Sequence, residues 1–380
     1  MGNQFGLVDA HGGAWKRMKK STSGAFSLGK MKKSLSLYNS CCKEMINWLD
    51  AEAKDNAEVD CVDMIKRCAI NTLGSVGFGM NINTFKDRDN ELKIHADTLF
   101  DVTRFGLIQF LPKLMAFFKV KIFSKKASEF IVNVVEQNIK SRAKENSDRK
   151  DILGTMIKFH NEHPEEMTKD ILVKTCIQFM VDGYTTTAES IIITLYMIAV
   201  NPNVEEKLRS EIDRVLEDKD DPFGDLTDED INELNYLDMV FKETMRMAVL
   251  ASTLRQCTKA WKVPNSDLVI PEGTVVVIPI GGLGMDPEYW DEPEEFNPER
   301  FSEENKGKIR SGTYFPFGQG PRICLGNNFA RFEAKVMLIY ILRNYTFSGG
   351  ENLCKELSYS LNDLFFPVPG LKLKFKKRNI

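Results

Sequence analysis

Residues 168–201 most constrain what this chain can fold into. Ile171, Leu172, Val173 and Ile177 lead in, and Ile191, Ile192, Ile193 and Leu195 lead out. That density of apolar residues asks for one long buried helix. Its middle, residues 179–190, reads FMVDGYTTTAES. A glycine in a helix interior costs about 1 kcal/mol against alanine, and threonine is a middling helix former. A buried carboxylate costs more unless it is paired or protonated. Poor helix formers at the centre of the most apolar helix mark a place where something other than packing is at work. Asp182 and Thr186 stand four apart and therefore share one face.

The rest of the chain is built to surround such a helix. It has 380 residues, 43% hydrophobic and 28% charged, an ordinary globular composition. A formal net charge of −3 argues against general nucleic-acid binding. No apolar run is long enough to span a bilayer, and residues 1–14 lack the apolar region of a signal peptide. Of the eight cysteines, none forms a CxxC pair or sits at zinc spacing, so reduced thiols acting as small hydrophobes are expected.

Apolar spacing predicts helices over 15–38, 39–53, 60–75, 92–105 and 126–144. Thr168 is a candidate cap for the long helix. Asn201-Pro202 should end it and start a helix over 202–216, with another over 226–247. RFGLIQFLPKLMAFFKVKIF, residues 104–123, is either core filler or an apolar surface for membrane or substrate. After Ala251 the texture changes to short β-rich runs, a proline-rich acidic loop and a last helix over 327–344. The tail, residues 365–377, alternates as a β-hairpin would. The expected fold is mainly α with small β-sheets, an α+β arrangement in one mixed domain over residues 1–380.

The most specific stretch is the loop at 315–328, containing FPFGQGPRICLG. It fits F-x-x-G-x-R-x-C-x-G through Phe317, Gly320, Arg322, Cys324 and Gly326. A thiolate needs donors to stay ionised, and amides of a turn and of a following helix N-terminus supply them. Glycines, Gly318 and Gly326 among them, let N–H groups point at the sulfur and a flat ring approach. Arg322 can pair a carboxylate of such a ring, and Phe317 can shield the sulfur.

On this loop the chain resembles the cytochrome P-450 superfamily of haem-thiolate monooxygenases, over nearly its whole length from Trp15. The resemblance implies haem b as cofactor, with Cys324 as the axial ligand. It implies that Glu243 and Arg246 of FKETMR and Arg300 of PERF form a buried charged network under the haem loop. It implies that Trp15 and Lys19 of AWKRMKK, with Arg255 of LRQCTK, reach the haem propionates. Lys19 stands where arginine is usual and gives a point charge rather than a fork. MAVLAST, which lines the substrate pocket in the family, lacks the usual proline pair, so the substrate stays open.

The same resemblance explains the odd helix. The family carries A/G-G-x-D/E-T-T there, over the haem. Here Asp182 stands in the first, small position, Gly183 thins the helix, Thr185 replaces the acid and Thr186 matches the oxygen-handling threonine. Asp182 is then either a relocated proton donor, an obstruction, or a side chain turned to a local partner. SGAFSLGKMK, GSVGFGM and VPNSDLVIPEGT resemble the microsomal branch that includes drug- and steroid-oxidising and insect detoxification enzymes. That implies an N-terminally incomplete chain, lacking the anchor and first elements, and a full-length form on the cytosolic face of the endoplasmic reticulum membrane. The implied partners are an NADPH-cytochrome reductase, docking on Lys16, Arg17, Lys19 and Lys20, cytochrome b5, a lipophilic substrate and a membrane surface, with no nucleic acid. The rival readings are a haem-thiolate isomerase or dehydratase acting on peroxides, and a truncated non-catalytic protein.

Overall fold

The computed structural model describes residues 10–54, 57–99, 111–118, 120, 123–145, 151–217, 224–248, 252–349 and 370–379, together with 7, 107 and 353. Its main helices are α1 (Gly12–Ser23), α2 (Leu35–Glu52), α3 (Cys61–Thr72), α4 (Glu91–Asp97), α5 (Lys125–Glu145), α6 (Ile152–Glu162), α7 (Lys169–Val200), α8 (Pro202–Val215), α9 (Asn235–Ala248) and α10 (Asn327–Asn344). The expected α+β class is what forms, with helices supplying nearly all of the core and strands confined to small antiparallel sheets.

At 32 residues, α7 runs through the middle of this core and is about 48 Å long at the usual helical rise. Thr168 caps it, its hydroxyl accepting from the Ile171 N–H at 3.3 Å. Three interior threonine hydroxyls are accommodated in the helix because each finds a carbonyl one turn back. Thr175 donates to Ile171 at 2.7 Å, Thr194 to Ser190 at 2.7 Å, and Thr186 to Asp182. Such back-bonds satisfy a hydroxyl without removing the backbone ladder.

Several helix boundaries differ from the sequence expectation. The segment predicted as one helix over 15–38 is broken by a 3-10 turn at Gly24–Phe26 and by Ser27, whose backbone is extended. The segment over 226–247 is two helices. Thr227 and Asp230 form a capping box for a short helix, Asp228–Glu233. The chain then leaves the helix at Leu234, and the Glu211 carboxylate accepts the first amides of α9, from Tyr236 at 2.7 Å and Leu237 at 3.1 Å. The pattern over 60–75 ends in a π-helical turn, Leu73–Gly77, and α6 is a helix that the apolar spacing does not predict. Residues 100–105 of the predicted 92–105 helix, much of the Phe-rich stretch, the middle of MAVLAST at 249–251, and Cys354 lie outside the described residues.

Among the described residues there are three sheets: β1 (Glu58–Asp60), β2 (Ser252–Gln256), β3 (Trp261–Lys262), β4 (Val269–Ile270), β5 (Val275–Pro279), β6 (Tyr345–Gly349) and β7 (Lys372–Lys377) pair as β1-β7-β6, β2-β5 and β3-β4. The described tail is therefore not a hairpin arm. β7 is a central strand, placing Leu373 opposite Val59 and Phe375 opposite Phe347. Leu373, Phe375, Val59 and Phe347 are buried, while Lys372 and Lys376 face out. The alternation sets the register, because a one-residue slip would bury the lysines.

In the described part of the Phe-rich stretch most of the large apolar side chains face outward, while Phe123 packs against the core. Around the short helix Pro112–Phe117, Leu111, Leu114, Phe117 and Phe118 are all exposed, Phe117 at 78%. Among the described residues no helix is long and apolar enough to cross a membrane. Leu373→Ala should lower unfolding stability by about 2–5 kcal/mol, whereas Lys372→Ala should change it by less than about 0.5 kcal/mol. Chemical denaturation of both variants measures this, and equal effects would contradict the central position of β7.

Candidate active site

The cysteine loop rests on a buried ion network that starts at α9. Glu243 and Arg246, three apart on one face of α9, both have fully buried side chains. The guanidinium holds the carboxylate with two bonds of 2.8 Å each, from Nε and from one terminal nitrogen. Glu243 also accepts from the Asn297 backbone at 2.9 Å and from Arg300 Nε at 3.3 Å. Arg246 donates onward to the carbonyls of Gly284 at 2.7 Å and Glu295 at 3.2 Å and lies over the Trp290 ring. Gly284 is required here, since an added Cβ would collide with the Arg246 carbonyl oxygen. Fork geometry and complete hydrogen bonding are what make a buried pair tolerable. The expected trio of Glu243, Arg246 and Arg300 is thus brought together. Asn297, Gly284 and Trp290 join it without any local motif that would have announced them.

The network reaches the loop through aromatic packing. Tyr314 donates to the Lys242 carbonyl at 3.1 Å, and its ring packs against Phe301 and Trp290. The loop then folds back on itself. Cys324 N–H donates to Phe317 O at 2.9 Å, and Gly318 and Gly320 adopt φ of +76° and +78°, which favours glycine. Arg331 lies over the Phe317 ring.

Cys324 ends up enclosed by protein on most sides yet open to solvent-sized contact, as a group lining an internal cleft would be. Burial pushes its thiol pKa up, and the Asp182 carboxylate adds to the rise. The backbone amides of Gly326 and Asn327, the latter the first residue of α10, oppose it. These are the turn and helix N-terminal donors that a thiolate needs. An added Cβ at Gly326 would sit 3.8 Å from the sulfur.

Beside the loop, cations gather around Trp15. The Arg322 guanidinium lies 4.4 Å from the ring centre and Lys19 Nζ 5.3 Å. Arg322 donates to Ala10 O at 2.7 Å and Lys19 to Pro321 O. Burial lowers the Arg322 pKa, and the nearby Arg255 lowers it further. Among the described residues no carboxylate pairs with Lys19, Arg255 or Arg322. Lys19 faces Trp15 and Pro321 rather than the exposed face, which carries Lys16, Arg17 and Lys20.

Across the cleft stands the centre of α7. Between 171 and 200, Asp182 and Thr186 are the two exposed positions. The Asp182 carboxylate is near enough to the Cys324 thiol to raise its pKa. Gly183 lets α7 and the π-turn pack closely, since an added Cβ would approach Leu73 Cδ1 at 3.3 Å. Thr185 is half-buried.

A glycine-cradled thiol, facing cations that no carboxylate neutralises and a hydroxyl–carboxylate face, describes a site for a thiolate-held prosthetic group bearing acidic substituents. A sequence model described as Cytochrome P450 matches residues 1–375. The chain is 31% identical over 402 residues to a probable cytochrome P450 9f2 of Drosophila melanogaster, covering 100% of this chain and 77% of that protein. It is 32% identical over 377 residues to cytochrome P450 3A18 of Rattus norvegicus, covering 96% and 75%. With cytochrome P450 6k1 of Blattella germanica it shares 31% identity over 366 residues, covering 89% and 69%. The chain belongs to the cytochrome P450 family, and it is a monooxygenase whose cofactor is haem b held by a cysteine thiolate. The residues present fit that group: the unneutralised cations suit its two propionates, and the amide-cradled thiol suits its iron.

Glu243→Ala should leave Arg246 as a buried unpaired charge, a loss of about 3–5 kcal/mol. Little haem-loaded protein should accumulate, read as haem per polypeptide. Normal haem content with unchanged stability would contradict the role of the network.

Proposed function

We propose that this protein inserts one atom of O2 into a lipophilic small molecule, such as a xenobiotic, steroid or fatty acid, with electrons passed from NADPH by a partner reductase. The observation that carries the reading is the exposed Asp182–Thr186 face in the middle of the largely buried α7, with its carboxylate close enough to act on the Cys324 thiol. Bound haem would supply the activation of dioxygen, and Cys324 would hold its iron through the thiolate. Arg322, Arg255, Lys19 and Trp15 bind and orient the propionates, and Phe317 keeps water from the sulfur.

On the distal side the protein manages protons. Thr186 holds a hydroxyl in the cleft and shares it with the Asp182 carbonyl. The Thr185 hydroxyl can pass a proton but cannot hold a charge at neutral pH. Asp182 is then the group on this face that can take a proton at its carboxylate and release it, one helical turn before Thr186. Exposed Lys16, Arg17 and Lys20 support an acidic reductase docking on the thiolate side. Exposed Leu111, Leu114, Phe117 and Phe118 support contact with a membrane, on the cytosolic face of the endoplasmic reticulum.

Haem-loaded protein given NADPH and a reductase should consume O2 in a substrate-dependent way. Rearrangement of a lipid hydroperoxide with neither O2 nor reductase, and no such uptake, would favour the isomerase class instead. In the same assay Asp182→Ala should cut the fraction of electrons recovered in product several-fold, and Thr185→Glu should raise it. Full coupling in Asp182→Ala would remove Asp182 from the proton route.

A further inference from the structure

The face of α7 that points away from the cleft carries a second set of interactions. Tyr184 lies about 200° around the helix from Asp182. It is buried, at 1% exposure. Its hydroxyl donates to Asp97 Oδ1 of α4 at 2.6 Å. Asp97 accepts from Lys93 at 2.9 Å, Lys93 pairs with Asp63 of α3 at 3.0 Å, and Asp63 accepts from Arg67 at 2.6 Å. Arg67 goes on to donate to the carbonyls of Thr84 and Arg88. Two carboxylates and two cations alternate, so the chain is balanced in charge from the phenol to the far side of α3.

The charge states hold this chain together. Burial alone would raise the Asp63 pKa, but Arg67 and Lys93 keep it below the usual carboxylate range. Burial works to lower the Lys93 pKa, but Asp97 and Asp63 hold it above the ordinary lysine value. Burial, and then the Asp97 charge, push the Tyr184 phenol well up, which keeps it a neutral donor. Its neighbour Gly183 packs on Leu73 of the π-turn that follows α3, so two successive residues fasten α7 to that turn and to α4. The front of the same turn carries Asp182 and Thr186.

We infer that Tyr184 is a positioning residue for oxidation: its bond to Asp97, braced by Lys93, Asp63 and Arg67, holds Asp182 and Thr186 in register opposite Cys324. The phenol points away from the cleft and carries no proton to it. This inference rests on the monooxygenase reading for its effect on turnover, though not for its effect on the helix.

Tyr184→Phe keeps the ring and removes the bond. Amide hydrogen exchange at residues 182–187 of the haem-loaded protein should quicken by about ten-fold, the scale of one bond to a charged acceptor, with α10 unchanged. Haem content should stay at the wild-type level and substrate affinity within about two-fold, while the fraction of electrons recovered in product falls about three-fold or more. Asp97→Ala should reproduce this, and the double variant should be no worse than either single one. Unchanged exchange at 182–187 overturns the inference, as does a double variant whose effects multiply. Loss of haem and coupling together in Tyr184→Phe also overturns it, by showing a structural role only. If wild-type protein shows no NADPH-dependent O2 uptake, the monooxygenase reading fails, and exchange alone decides whether Tyr184 positions the turn.

Discussion

The buried carboxylate of Glu243 is the constraint on which the rest of the site depends. Its two oxygens hold Arg246 and Arg300 and accept the Asn297 amide. Through Arg246 it fixes the carbonyls of Gly284 and Glu295. One side chain thereby joins α9 to the stretch at 280–301, where a short helix, Ile280–Gly284, and a 3-10 turn, Pro298–Phe301, flank an irregular meander. A segment of that kind has few backbone partners, so side-chain donors must supply its order. Tyr314 and the Trp290–Phe301 pair then carry that order into the loop that presents Cys324.

The central helix performs two tasks on opposite faces. Its front leaves Asp182 and Thr186 exposed to the cleft, at the expense of helix propensity and apolar burial. Its back compensates with close packing at Gly183 and a hydrogen bond from Tyr184 into a charged chain. The hydroxyls of Thr175, Thr186 and Thr194 satisfy themselves on carbonyls one turn earlier, so these polar groups do not compete with the helix. Functional sites are where local preference and fold are expected to disagree, and α7 shows how such a conflict is borne.

Much of this was legible in the sequence because it is local. The α7 cap at Thr168, the α10 span from Asn327 to Asn344, and the loop glycines all follow from neighbours a few residues apart. Glu243 and Arg246 were legible as a pair, although spacing alone does not separate a buried pair from a surface one. What escaped is what depends on distant partners. The break at Ser27 and the end of the short helix at Leu234 answer to tertiary packing and to the Glu211 cap, against a helical pattern. β7 reads as a hairpin arm, but its partners are β6 and, more than 300 residues earlier, β1. The Phe-rich stretch has core composition, yet Leu111, Leu114, Phe117 and Phe118 are exposed. Tyr184 occupies a variable place in its motif, and nothing near it in sequence points to Asp97.

The central claim is that the loop at 315–328 presents Cys324 as a thiolate ligand to haem iron. The difference spectrum of the reduced protein with and without carbon monoxide tests it most directly. A thiolate-ligated complex is expected, seen as a strongly red-shifted Soret band that Cys324→Ser abolishes. A haem-loaded protein with an unshifted band, or a shifted band that survives Cys324→Ser, would contradict the account.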